Sequence, residues 1–197
     1  GSIVAAWHRI RNGDEPISSK LDSTYAENFL HILGAEKITP LMTRIMDATL
    51  VLHGEHTINA STFTAMVTSS TLANASQVVA SAIGSLSGPL HGGANEKVIA
   101  MLQKIQSKEE IRPWLDDTLK AKNVVWGMGH REYSVKDPRA NILTDMVQQL
   151  FDEREGGVTD IFEKAIELEK ACEEKLSHKG VYPNVDFYSG ILYKEMD

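Results

Sequence analysis

The chain has 197 residues, 42% of them hydrophobic and 24% charged, and 27 acidic against 20 basic side chains give a formal net charge of −7. That length holds one domain or two small ones with enough apolar material for a core, and the acidic balance argues against nucleic acid as a partner. One cysteine, Cys172, excludes an intrachain disulfide and fits a reducing compartment; no apolar run reaches membrane-spanning length and no signal peptide is visible, so a cytoplasmic protein is expected.

The first helix is read over Ile3–Ile10, closed by Asn12-Gly13 and Pro16. Thr24 and Glu27 form a capping box ahead of an apolar stripe of Ala26, Phe29, Leu30 and Leu33, with Gly34 as the stop. Thr39-Pro40 opens a helix whose face is Leu41, Ile45, Ala48, Thr49 and Leu52, and His53 and His56 follow its end. Ser61 caps a helix running to about Leu72; Val79, Ala82, Ile83 and Leu86 mark the next, broken at Gly88-Pro89. His91 stands just before a helix carrying Ala94, Val98, Met101, Leu102 and Ile105 on one face, and Arg112–Lys120 forms a short helix.

The stretch Asn123–Leu143 concentrates the features that could do chemistry. Val124, Val125 and Trp126 read as a buried extended approach, Gly127 and Gly129 permit a turn or close contact, and His130 sits at the tip. Asp137-Pro138 is an N-cap followed by proline at the first helical position, which puts Arg139 in the first turn, where free N–H groups favour an anion. Taken alone, the segment reads equally as an interhelical loop with a surface histidine and a capping arginine. Ile142, Leu143, Met146, Val147 and Leu150 continue that helix. Val158, Ile161, Phe162, Ala165, Leu168, Cys172 and Leu176 stripe a long charged helix whose EKAIELEKACEEK run reads as a solvated face. Pro183-Asn184 starts the last helix, with Asp186 in its first turn. The class is all-α.

Three loop-to-helix junctions thus carry His91, His130 with Arg139, and Asp186. A carboxylate with two imidazoles suits proton abstraction beside a carbonyl: the carboxylate removes a C–H proton, one imidazole steadies the enolate, and the other polarises the electrophile. Sequence spacing alone does not bring the three together.

GPLHGGAN (88–95), GMGH…DPRA (127–140) and PNVDFYSG (183–190) resemble, in order and spacing, the three active-site motifs of the citrate synthase family. HGEHTINAST (53–62) and AAWHRIRNG (5–13) are similar to two further blocks, so the likeness covers nearly all of Ile3–Asp197. The resemblance implies a citrate synthase-like multi-helical fold, with 3–92 as part of the large domain, 93–183 as the small domain and 184–197 as a return helix to the large one. By the same resemblance Asp186 takes a methyl proton from acetyl-CoA, His91 stabilises the enol or enolate, and His130 donates to the oxaloacetate carbonyl. His56 and Arg139 would hold oxaloacetate carboxylates, and Val125, Trp126, Gly127, Met128 and Gly129 would lie along CoA. No metal and no cofactor is implied, acetyl-CoA being a substrate; the partners are small molecules and a second copy, in a homodimer or larger homo-oligomer.

Departures from the family pattern are Met128 for an aromatic residue, Glu132 for a small aliphatic one, and Ser134 for a basic residue facing the CoA phosphates. Lys136 stands two positions on and would compensate in part. The family extends beyond both ends of this chain and supplies further arginines there. The expectation is therefore an incomplete site, no measurable activity for this chain by itself, and apolar faces such as Leu41–Leu52 left exposed or covered by another copy. A 2-methylcitrate synthase using propionyl-CoA and a non-catalytic assembly module are the alternatives. His53-Gly-Glu-His56 lacks the H-E-x-x-H arrangement of a metal site, Gly127-Met-Gly129 lacks the third glycine of a dinucleotide fingerprint, and no G-x-S-x-G elbow is present.

Overall fold

A computed structural model of the chain describes residues 1–55, 57–88, 91–130, 132–154 and 156–196. The helices are α1 (Ser2–Arg11), α2 (Tyr25–Leu33), α3 (Pro40–Leu52), α4 (Ala60–Ser70), α5 (Ala75–Leu86), α6 (Ala94–Lys104), α7 (Ile111–Lys120), α8 (Pro138–Glu153), α9 (Asp160–Leu176) and α10 (Val185–Glu195). Many of their starts are set by side-chain oxygens that accept otherwise unpaired N–H groups: Thr24, Thr39, Asn59, Asn74, Asp137 and Thr159 each cap a helix in this way, whereas α1, α6 and α7 have no side-chain cap. Ser61 is not the cap of α4; Asn59 takes that place, and the Ser61 hydroxyl is turned to His91. Val124–Trp126 forms no strand. Among the described residues, bridge pairing is limited to one antiparallel bridge between Met128 and Pro183.

The chain divides into two compact units, Gly1–Glu55 with Met196–Asp197, and His56–Glu195. In the first, α2 packs on α1 and α3. Leu41, Ile45, Met46 and Thr49 of α3 are buried, as are Ala26, Leu30 and Ile32 of α2 and Ala5 of α1. The α3 stripe is therefore covered within its own unit and is not the exposed face expected from the sequence. Unmatched apolar surface lies elsewhere. On α4 and α5, which pack on one another, no residue is fully buried, and Phe63, Met66, Val67, Val79, Ile83 and Leu86 are all about half exposed or more.

The second unit is organised around α10, which packs on α6 and α8 while α9 packs on α6 and α7. The expected division at 92/93 and 183/184 differs from these units: here α10 belongs with α6 and α8. Val185, Phe187, Tyr188, Ser189, Gly190, Ile191 and Leu192 are all buried, so α10 is covered on every side rather than along one stripe. Burial of Phe187, Ile191 and Leu192 contributes about 1.5–3 kcal/mol each. The α9 charges are not a purely solvated face: Glu167 and Glu174 pair with Arg112 of α7, Lys175 with Asp116, and Lys164, only 4% exposed, with Asp160. Among the described residues no helix is long and apolar enough to cross a membrane.

At Gly190 the backbone of α10 comes close to that of α6. A Cβ built there would lie 2.7 Å from the Asn95 carbonyl oxygen, a backbone atom that cannot swing away. Alanine is favoured over glycine in a helix by about 1 kcal/mol, yet overpacking against backbone costs about 1–3 kcal/mol. Gly190→Ala is therefore expected to lower the urea midpoint despite its better helix propensity; an unchanged or raised midpoint would mean that α6 can shift at no cost.

Candidate active site

Two of the three junctions are joined by hydrogen bonds. Gly129 N–H donates to the Tyr182 carbonyl at 2.8 Å, and Asn184 N–H donates to the Gly127 carbonyl at 2.9 Å. The Asn184 side chain reaches both ways: its Nδ2 donates to the Gly129 carbonyl at 2.8 Å and its Oδ1 accepts from Asp186 N–H at 3.0 Å. One asparagine thereby fixes the turn before His130 and the helix start carrying Asp186. Gly127 makes the approach possible. Its φ is +80°, and a Cβ there would fall 2.8 Å from Phe187.

The third junction is tied in through α6. His91 lies half-buried in the turn before α6, and α6 packs on α10. Its Nε2 receives the Ser61 N–H at 3.3 Å, and the Ser61 hydroxyl lies 2.6 Å from the same atom. A nitrogen that accepts a backbone N–H carries no proton, so in the neutral ring the hydrogen is on Nδ1. His130 is held the opposite way round. Glu132 N–H donates to its Nδ1 at 3.0 Å, which leaves Nε2 as the donor, and the Tyr133 ring packs on it at 4.7 Å. Each imidazole is thus turned as a hydrogen-bond donor, one through Nδ1 and the other through Nε2.

Arg139 stands in the first turn of α8, and Asp137 does more than cap that helix. Its Oδ1 accepts from Arg139 N at 2.9 Å and Nε at 3.1 Å, and its Oδ2 accepts from Nη2 at 2.7 Å. Asp137 is 1% exposed and also donates its own N–H to the Pro183 carbonyl at 3.3 Å. The guanidinium plane is consequently fixed relative to the Asn184 junction. Burial pushes the Asp137 carboxyl up, but the side-chain and backbone hydrogen bonds from Arg139, with the charges of Arg139 and His130, outweigh it and hold the group below its ordinary value.

The CoA strip expected at Val125–Gly129 has its Val125 side chain buried, so its accessible features are backbone and the half-buried Trp126 and Met128 side chains. Lys97 Nζ sits 4.0 Å over the Trp126 ring. Lys136 is not turned outward: its Nζ lies 2.5 Å from Glu169 Oε1, and the Tyr188 hydroxyl donates to Glu169 Oε2. Burial, with the Glu169 charge, pushes the Tyr188 phenol well above its ordinary value, so it stays a donor. Glu169 and Asn184 carried no signal in the sequence beyond a charge run and a helix start. Asp137 carried only its cap.

His56 lies outside the described residues. His53 caps α3 through Nδ1, 2.7 Å from the Thr49 carbonyl, and among the described residues no group of three or more His, Cys, Asp or Glu could hold a metal ion. Cys172 is fully buried, and burial followed by the Glu169 charge pushes its thiol up to about 12, as a core residue requires.

A family model described as citrate synthase, C-terminal domain, matches residues 1–197. A protein named citrate synthase from Synechocystis is 50% identical over 196 residues, covering 100% of this chain and 49% of that protein. One from Acidithiobacillus ferridurans is 47% identical over 99% of this chain and 50% of its own length. Among solved structures, the ternary complex of carboxymethyl coenzyme A and oxaloacetate with citrate synthase from Thermoplasma acidophilum aligns with a TM-score of 0.90 at 32% identity, over 99% of this chain and 51% of that one. The chain spans about half the length of the relatives it matches.

Because the folded-state pKa of Asp137 is depressed, the stability from its pairing with Arg139 is present above the unfolded value of about 3.9 and is lost as pH falls from there through the folded value. Asp137→Asn should cost about 1.5–3 kcal/mol at pH 7, the usual worth of a hydrogen bond to a charged group, and the gap from the parent should close in strong acid. Denaturation of both proteins from pH 7 down to pH 2 measures this; a gap independent of pH would show that charge plays no part.

Proposed function

We propose that this chain, which belongs to the citrate synthase family, carries the groups that condense acetyl-CoA with oxaloacetate to give citrate and CoA. Asp186 removes a proton from the acetyl methyl group while His91 Nδ1–H donates to the thioester oxygen, so that the developing enolate is stabilised as it forms. The enol carbon attacks the ketone carbon of oxaloacetate. His130 Nε2–H donates to that ketone oxygen, which becomes the citryl hydroxyl, and water then cleaves the thioester and releases the CoA thiol. His56 and Arg139 take oxaloacetate carboxylates, the latter in the plane that Asp137 sets. Val125, Trp126, Gly127, Met128 and Gly129 lie along CoA. Lys136, whose charge already faces Glu169, is the weakest member of that set.

The observation that carries this reading is the Asn184 junction, which brings the His130 turn and the Asp186 helix start to either side of one hydrogen-bonded contact. The donor tautomers of the two histidines suit two carbonyl oxygens. The relatives are named for citrate, which favours an acetyl over a propionyl group. The solved relative that holds carboxymethyl coenzyme A and oxaloacetate supports the same substrate pair. We place the protein in the cytoplasm, acting without a cofactor, as a homodimer or larger homo-oligomer. The self-association rests on the half-exposed apolar residues of α4 and α5.

In a protein joining this chain to the remaining length of its relatives, Asp186→Asn keeps size and hydrogen bonding but removes the base, and turnover should fall about 10²–10⁴-fold with oxaloacetate binding little changed. Near-parental citrate formation would take Asp186 out of the mechanism. Light scattering on the chain itself should report a dimer or larger species, shifted toward monomer by Phe63→Glu with Ile83→Glu. A parent that is monomeric at high concentration would remove the role given to α4 and α5.

A further inference from the structure

Between His130 and Asp137 the chain has little packing of its own. Glu132, Ser134 and Val135 are exposed, and Ser134 rests against Gly180, where a Cβ would lie 3.3 Å from the Ser134 carbonyl oxygen. Yet this loop sets the chemistry of His130, because the Glu132 N–H occupies Nδ1 and makes Nε2 the donor. That N–H stays in place only if the loop does. Upstream, Asn184 fixes Gly129. Downstream, Asp137 N–H donates to the Pro183 carbonyl, and Lys136 Nζ lies 2.5 Å from Glu169 Oε1.

Glu169 of α9 joins two elements that do not follow one another in the chain. Its side chain is 15% exposed, and both carboxylate oxygens are engaged. Oε1 takes the Lys136 ammonium and Oε2 accepts from the Tyr188 hydroxyl. Tyr188 is fully buried on α10, two residues after Asp186, and its ring centre lies 5.7 Å from the same ammonium. One carboxylate thus ties the loop that orients His130 to the helix that carries Asp186. Neighbouring acids of α9 do other work, since Glu167 and Glu174 pair with Arg112 of α7 on the exposed side. A pair sheltered as this one is suffers less screening than those do.

We propose that Glu169 is a positioning residue for the condensation, holding Lys136 and Tyr188 at once so that the His130 loop keeps register with the Asp186 helix start. The assignment rests on the roles given above to His130 and Asp186, and Glu169 acts through those residues and not on substrate. It gives Lys136 a task separate from CoA.

Two measurements test it. Histidine ¹⁵N NMR of the chain itself reads the loop without turnover, the His130 signals being those lost in His130→Asn. At about pH 8, above the ordinary histidine pKa, the parent should show His130 protonated on Nε2. Glu169→Gln keeps size, and Lys136→Met removes the pair from its more exposed side; each should shift His130 toward a mixture of tautomers. Lys136→Arg should keep the parental pattern. In the protein joining this chain to the remaining length of its relatives, Glu169→Gln should lower kcat about tenfold or more, because misplacement by about an ångström can cost ~10²-fold. KM for oxaloacetate should change little, and adding Lys136→Met should cost nothing further, as expected of residues acting through one contact. Unchanged His130 signals in both variants overturn the proposal whatever the kinetics. Altered signals with parental kcat overturn it as well. So does a Lys136→Met that raises KM for acetyl-CoA while leaving kcat and His130 alone, which would return Lys136 to the CoA set. A joined parent that forms no citrate overturns the functional reading instead, and the tautomers still decide whether Glu169 holds His130.

Discussion

The site depends on one side-chain amide. The Asn184 side chain donates to one backbone carbonyl and accepts from one backbone N–H, and its own N–H donates to a third group; through these three hydrogen bonds a residue that is neither acid nor base holds both segments. Two of them go to the glycine turn and one to the start of α10. Such an amide is held in a single orientation, because reversing its oxygen and nitrogen would set donor against donor and acceptor against acceptor. The carboxylate of Asp186 and the ring of His130 inherit their relative position from that constraint. Precise placement is worth orders of magnitude in rate, and here it comes from backbone contacts on a buried helix.

Charge is handled by local pairing in a chain whose total is unfavourable for anions. Asp137 spends its buried carboxylate on Arg139, Glu169 on Lys136 and Tyr188, and Glu167 with Glu174 on Arg112. The first of these fixes the plane of a guanidinium instead of leaving a long side chain to find it. The second holds the C-terminal end of the His130 loop to α9 and α10. The third is exposed, and such pairs add little to stability.

The helices were legible because their signals are local. Thr24 caps a helix as Glu27 three residues on suggests, and Thr39 and Asp137 do so as the proline after each suggests. Ser61 misled because Asn59, two residues earlier, is an equally good acceptor, and it is Asn59 that accepts from Thr62 N–H. The extended reading of Val124–Trp126 followed β-propensity, which depends on a neighbouring strand that three residues cannot guarantee. The site was legible as three junctions and illegible as an assembly. Nothing in the sequence says that Asn184 reaches Gly129, since that contact spans 55 positions. The burial of α10 from Phe187 to Leu192 was equally hidden, because its sequence reads as an ordinary short helix until α6 and α8 are in place.

The way the two imidazoles are held bears on metal ions. Imidazole binds a metal through a ring nitrogen's lone pair, and in His91 and His130 that lone pair is already engaged by the backbone N–H of Ser61 or Glu132. What each ring presents on its other side is hydrogen. Polycarboxylates of the kind proposed here are chelators and bring divalent cations with them. A cation arriving in that company meets N–H groups where it would need donors of electron pairs, and binding it would require breaking backbone contacts and moving a proton around the ring. Under the proposed reading, the tautomers that suit carbonyl oxygens would also disfavour a cation arriving with the ligands.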